Sequence, residues 1–226
     1  MLHRSFPGSA AYSLEAFIGD VDFVQFQPQL SVGGMLGSPS STAAYLIHSS
    51  DWDGAAEAYL HRVLSCGSGR GAGSAPGTYP TTVFELAWVS ANIQSYCSEF
   101  TEETGRMLQQ IGTTLKELLV VQDGLVGGAQ GMCVDADETA KTVFTLNWMG
   151  IPTSPDSLID RFESSEYFLS YGHERNPSIS TNAHVLLALL YAPETTRYTS
   201  QNAKCARYLC RVWWESDDLV HDKWNI

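Results

Sequence analysis

A chain of 226 residues, 44% hydrophobic and 17% charged, can bury enough apolar surface for one large domain or two small ones. Its 25 acidic against 13 basic residues give a net charge of −12, which argues against nucleic acid or an anionic membrane surface as the main partner. An anionic substrate would need a local basic pocket or a metal ion. The five cysteines, Cys66, Cys97, Cys133, Cys205 and Cys210, are odd in number and contain no CxxC pair, so neither a zinc ribbon nor a disulfide framework is indicated. That usage fits a reducing, cytoplasmic setting. Residues 1–7 lack the apolar core of a signal peptide, and no window reaches the run of about eighteen apolar residues that a membrane span needs.

In chain order, apolar residues recur at helical spacing over residues 12–18, 42–47, 55–64, 83–93, 107–121, 139–149, 158–162, 183–190 and 203–214. No run alternates convincingly with period two, so the expected fold class is all-α. Helix starts are signalled at Ser38-Pro39, at Thr82 with Glu85 three residues on, and at Ser154-Pro155. Residues 65–80 are rich in Gly, Ser and Pro and read as a linker, giving an expected division into 1–66, a linker at 67–80, and 81–226. The glycines of that stretch follow no strand, so flexibility explains them better than a phosphate-binding loop does.

Residues 135–138, Asp135-Ala136-Asp137-Glu138, open the stretch 135–149 and gather three carboxylates within one turn at a helix start. Carboxylates this close repel, and one can keep its proton into a pH range where an isolated Asp has lost it, which makes a general acid. The same spacing is that of a capping box, and acids in a first turn complement the helix dipole. Spacing alone leaves both readings open, with the cap the commoner. Lys141, four residues after Asp137, either sits beside that acid and strengthens it or forms a solvated helix pair.

Several strings are more specific. Ser13-Leu14-Glu15-Ala16-Phe17-Ile18-Gly19 is followed by Gly37-Ser38-Pro39-Ser40-Ser41-Thr42-Ala43, and then by Tyr79-Pro80-Thr81-Thr82-Val83-Phe84-Glu85-Leu86. Next come Val134-Asp135-Ala136-Asp137-Glu138-Thr139-Ala140-Lys141-Thr142 and Glu174-Arg175-Asn176-Pro177-Ser178, with Asn182 and Val185-Leu186 beyond. In that order they resemble the class II diterpene cyclases, particularly the fungal enzymes that make copalyl diphosphate. The resemblance implies an α/α-barrel fold, with 1–66 a portion of a γ-like domain and 81–226 a portion of a β-like domain carrying a DxDD-type motif. Because the family's β domain extends further on both sides, the barrel is expected to be incomplete.

The activity the resemblance implies is conversion of geranylgeranyl diphosphate to a copalyl-type diphosphate by protonation of the terminal alkene. Asp137 would be the proton donor, flanked by Asp135 and Glu138. Glu138 stands where the motif usually has Asp, which lengthens that side chain by one methylene. Gly127-Gly128-Ala129-Gln130 stands where the family usually has Gly-Phe-Ala-Pro, a change expected to loosen the loop before Asp135. Magnesium would accompany the diphosphate. Arg175 is a candidate diphosphate contact, with an ion pair to Glu174 as the structural alternative, and Lys141 and Trp148 are further substrate-binding candidates.

Phe144, Trp148, Tyr167, Phe168 and Tyr171 are candidates for a water-poor pocket that stabilises carbocations, or else ordinary core. His173 and His184 read either as a terminating base or hydrogen-bond partner, or as structural residues. A DDxxD metal motif is absent; Asp217-Asp218-Leu219-Val220-His221 comes near but ends in His, so ionisation of the diphosphate is not expected. The main alternative is a non-catalytic helical fragment that binds a prenyl diphosphate or a longer cyclase chain. An α/α-barrel glycosidase using the paired carboxylates is a remoter one.

Overall fold

The structure, a computed structural model, describes residues 8–66, 72–96, 100–172, 174, 176–216 and 221–223. The chain divides into two compact units, Met1–Thr82 with Gly128–Cys133, and Val83–Gly127 with Val134–Ile226.

In the first unit, 3₁₀ segments at Gly8–Phe17 and Phe23–Gln29 lead into a small antiparallel hairpin, β1 Leu30–Ser31 and β2 Gly34–Met35. Helices α1, Pro39–His48, and α2, Gly54–Cys66, follow. Ser38 caps α1 as the Ser-Pro signal predicts, its hydroxyl accepting from Ser41 N–H at 3.3 Å. The spacing in 12–18 suggested an ordinary helix, but this segment is 3₁₀ and kinked at Ser13. The reason is tertiary: the Ser41 hydroxyl accepts from Leu14 N–H at 2.9 Å and lies 2.7 Å from the Tyr12 carbonyl. Those backbone groups are thereby satisfied from α1.

The hairpin turns at Val32 and Gly33, both with positive φ (50° and 86°), and a Cβ on Gly33 would lie 2.7 Å from the Ala55 carbonyl oxygen. Its strands are too short for a period of two to register in the sequence. Leu14, Phe23, Phe26, Met35, Tyr45 and Ala56 form the core. Part of the expected linker is fixed to this unit: Tyr79 N–H donates to Gly37 O at 2.8 Å, and Tyr59 OH donates to Tyr79 O at 2.7 Å. Residues 67–71 lie outside the described residues.

The second unit contains α3 Thr82–Tyr96 from Val83 onward, α4 Glu102–Val121, α5 Ala136–Trp148, α6 Asp156–Phe162, α7 Ile179–Leu190 and α8 Thr199–Glu215. A 3₁₀ turn at Thr195–Tyr198 precedes α8. Helix α5 is central: α4, α6 and α7 pack on it, and α8 packs on α7. Nearly all its residues from Ala136 to Leu146 are buried, polar ones included. One apolar cluster joins Val143, Phe144, Leu158, Phe162, Phe168, Val185 and Leu189; another joins Val83, Ala87, Leu115, Leu119 and Leu146. Thr145, buried between apolar neighbours, satisfies its hydroxyl by donating to Ala87 O at 3.2 Å. Among the described residues, no helix is long and apolar enough to cross a membrane.

Candidate active site

Asp135 is the N-cap of α5, its extended backbone (φ −140°, ψ 162°) placing Oδ1 to accept from Glu138 N–H at 2.7 Å. The capping box closes only halfway. Asp135 N–H donates instead to Val126 O at 3.1 Å, so Glu138 has no reciprocal bond to make. Its Oε1 accepts from the Trp88 indole N–H at 3.2 Å, and its Oε2 is buried with no partner.

Two loops frame this helix start. Thr139 clamps the first, accepting from Val126 N–H at 3.0 Å and donating to Val126 O at 3.1 Å. On the second loop, Ser170 O accepts from Ala136 N–H at 2.9 Å. Asn182 on α7 pins that loop: its Oδ1 accepts from Phe168 N–H at 2.8 Å while Nδ2 donates to Phe168 O at 2.9 Å and Ser178 O at 2.8 Å. Asn182→Ala should leave the Phe168 N–H and carbonyl unpaired and cost about 2 kcal/mol of stability, read as a lower urea midpoint with an unchanged m-value.

The framed space is a cavity of about 420 Å³. Phe84 and Trp88 of α3, Asp135, Asp137 and Glu138 of the α5 start, Ser170 and Tyr171 of the second loop, and Ser180 of α7 line it. Asp137 Oδ1 lies 2.6 Å from His184 Nδ1. The Lys141 ammonium sits 4.5 Å above the Trp88 ring, and the His184 imidazole meets that ring at 5.0 Å and 89°.

Burial dominates the electrostatics. It holds the Asp135 carboxyl well above the usual carboxylate range, with the charges of Glu138 and Asp137 adding to it against the Glu138 N–H bond. Glu138, only 8% exposed, is pushed up to about 7 by burial and then by the Asp137 charge, opposed by the Trp88 N–H and Lys141. Burial lowers Lys141, while Asp137 and Glu138 oppose that shift.

Asp135, Asp137 and Glu138 therefore meet on one cavity, with Lys141 a turn deeper. Trp148 lies at the far end of α5, about 16 Å along the axis from Asp137, where it packs edge-on against Phe100. It does not line the cavity. Phe144 packs on Tyr191, Tyr167 on Tyr208, and Phe168 is fully buried; of the five aromatic candidates, Tyr171 is the one on the wall. Arg175, His173 and Asp217-Asp218-Leu219-Val220 lie outside the described residues. Glu174 pairs with Lys223 and accepts from Ser170 N–H at 3.1 Å.

Sequence reasoning did not single out Phe84, Trp88, Ser170 or Ser180. Phe84 falls within the Tyr79–Leu86 string and Trp88 two residues beyond it, but helical spacing does not separate them from core aromatics. The acids do not fit a magnesium site: Asp135, Asp137 and Glu138 each engage a protein partner. Among the described residues, no group of three or more His, Cys, Asp or Glu side chains is disposed to hold a metal ion.

No family model matches the chain. It is 41% identical over its whole length to the ent-kaur-16-ene synthase of Phaeosphaeria sp. (strain L487), and 42% identical over 97% of its length to that of Fusarium fujikuroi. It is also 37% identical over 96% of its length to the copalyl diphosphate synthase of Talaromyces verruculosus. The chain spans 24%, 23% and 22% of those proteins, about a quarter of the length of the curated relatives it matches. Among solved structures, the ent-copalyl diphosphate synthase of Streptomyces platensis matches with a TM-score of 0.72 at 27% identity, over 92% of this chain and 39% of that one. The abietadiene synthase of Abies grandis matches with a TM-score of 0.76 at 22% identity, over 96% of this chain and 28% of that one, a likeness of fold alone. The helical α/α-barrel class expected from the sequence is thus the observed one. Over nearly its whole length the chain is similar to the fungal ent-kaurene and copalyl diphosphate synthases, the class II diterpene cyclases its sequence resembles, and it corresponds to about a quarter of their length.

Proposed function

We propose that this chain carries the acid site of a class II cyclase, which protonates the terminal alkene of geranylgeranyl diphosphate and yields a copalyl-type diphosphate. The observation that carries this reading is Asp137 on the cavity wall, its Oδ1 held 2.6 Å from His184 Nδ1, with two buried carboxyls beside it. An alkene is a very weak base. The acid must be protonated at rest and its conjugate carboxylate well stabilised.

With the hydrogen on His184 Nδ1, the imidazole donates to Asp137 Oδ1 and leaves Oδ2 to carry the proton into the cavity. After transfer, that same bond from His184 holds the Asp137 carboxylate in place. Asp135 anchors the first turn through its bond to Glu138 N–H. The new tertiary cation is attacked in turn by the distal alkenes, two rings close, and a proton leaves the final cation. One proton enters and one departs, with the diphosphate retained, so the reaction is an isomerisation. Phe84, Trp88 and Tyr171 are the aromatic residues on the cavity wall, and Phe84 and Tyr171 are the candidates to stabilise the cations.

On this reading magnesium travels with the diphosphate and not on the acids, and Arg175 is the candidate diphosphate contact. Residues 83–127 with 134–226 would be the β-like portion, and 1–82 with 128–133 the γ-like portion. The cysteine usage supports a cytoplasmic setting. A second reading, association with a longer cyclase chain without turnover, is favoured by Trp213 and Trp214 on α8, 62% and 85% exposed. Incubation with geranylgeranyl diphosphate and magnesium, followed by dephosphorylation, separates the two: the first yields a bicyclic alcohol, the second none at any protein concentration.

A further inference from the structure

One indole touches the groups around the acid. Trp88 donates its N–H to Glu138 at 3.2 Å, carries the Lys141 ammonium 4.5 Å above its face, and meets the His184 ring edge-on at 5.0 Å. Helical spacing would bring Lys141 beside Asp137, one turn earlier. Yet Lys141 forms no ion pair with any carboxylate among the described residues. A direct pair would lock Asp137 as a carboxylate, the wrong form to begin an alkene protonation. Over a ring face the ammonium keeps its charge in a buried place, because the π quadrupole replaces part of its lost hydration. Glu138 needs its own anchor, since its side chain is longer than Asp and its Oε2 has no partner.

We propose that Trp88 is the positioning residue of the acid site: its N–H fixes the Glu138 carboxyl, and its face holds the Lys141 ammonium off the acids. The role rests on the reading of Asp137 as the proton donor, but its test reads titration and not turnover. Trp88→Phe keeps a ring face and removes the N–H; Trp88→Leu removes both.

In protein labelled with ¹³C at the glutamate carboxyls, NMR follows Glu138, whose signal is identified by its loss in Glu138→Gln. The titratable groups around it, Asp135, Asp137 and Lys141 from α5 and its cap and His184 from α7, stay the same in every variant. From a starting midpoint of about 7, Trp88→Phe should move Glu138 up by about one pH unit, because a donor to the charged form is gone. Trp88→Leu should move it down by about one unit, because the freed ammonium swings onto the acids. Opposite shifts are not what a simple loss of packing produces. Unmoved midpoints, or shifts of one sign, overturn the proposal; if the Leu variant does not fold, the upward shift in Trp88→Phe decides alone. Absence of a bicyclic product from the wild-type chain would count against the cyclase reading and leave the Trp88 titration standing.

Discussion

Asp137→Asn should lower formation of the bicyclic diphosphate by about 10³-fold or more while leaving the fold intact, since positioned acids contribute roughly 10²–10⁴-fold and an alkene is too weak a base to take its proton from neutral water. Asn keeps the size of Asp and its Oδ1 can still accept from His184 Nδ1–H, so the 2.6 Å contact survives as a hydrogen bond. What is lost is the acidic proton on the second oxygen. Thermal unfolding within about 1 °C of wild type would mark the loss as chemical, because surface-accessible isosteric changes usually fall within ±0.5 kcal/mol. Equal product from both proteins would remove Asp137 from the donor role, whatever the cavity looks like.

The second large effect concerns stability and pH. Glu138 ionises near 7 in the folded chain against an ordinary value of 4.5, so between those pH values the native state binds a proton that the unfolded state has released. Stability therefore falls as pH rises from about 4.5 to about 7, and levels off above. The shift corresponds to about 3 kcal/mol. Glu138→Gln keeps an acceptor for the Trp88 N–H and removes the titration. Urea unfolding at several pH values should show the wild-type chain losing about 3 kcal/mol more than the Gln variant between pH 4 and 8. Asp135 is raised mainly by burial in both proteins, and Glu138→Gln removes only the part of its shift that comes from the Glu138 charge. Parallel stability curves would mean that Glu138 is already ionised when folded.

Much of this arrangement was legible from residue spacing, and the rest was decided by distant neighbours. The period of the apolar residues located α1 to α8, and Ser38-Pro39 and Asp135 marked two helix starts that the caps then realised. The start signals at Thr82 and Ser154-Pro155 each stand a residue from the mark: α3 begins at Thr82 itself, and Pro155 occupies the cap of α6. The segment 12–18 misled because Ser41, far along the chain, takes its backbone groups. Asp135 and Glu138 fitted a capping box, but no local pattern reveals that Val126 claims the Asp135 N–H or that Trp88 claims the Glu138 carboxyl. Trp148 shows the limit of helical periodicity most clearly. It shares a helix face with Asp137 to within about 20° and still misses the cavity, because three turns of rise separate them. Tyr171 and Phe168, three residues apart on one loop, part company between wall and core because Asn182 fixes the backbone at Phe168.

The central claim is that a solvent-exchangeable carboxyl proton on Asp137 starts the cyclisation. Incubating the chain with geranylgeranyl diphosphate in D₂O and analysing the dephosphorylated product by mass spectrometry tests it most directly. The account predicts a bicyclic alcohol carrying one non-exchangeable deuterium, absent with Asp137→Asn; a bicyclic product without deuterium, or one formed equally by the variant, would contradict it.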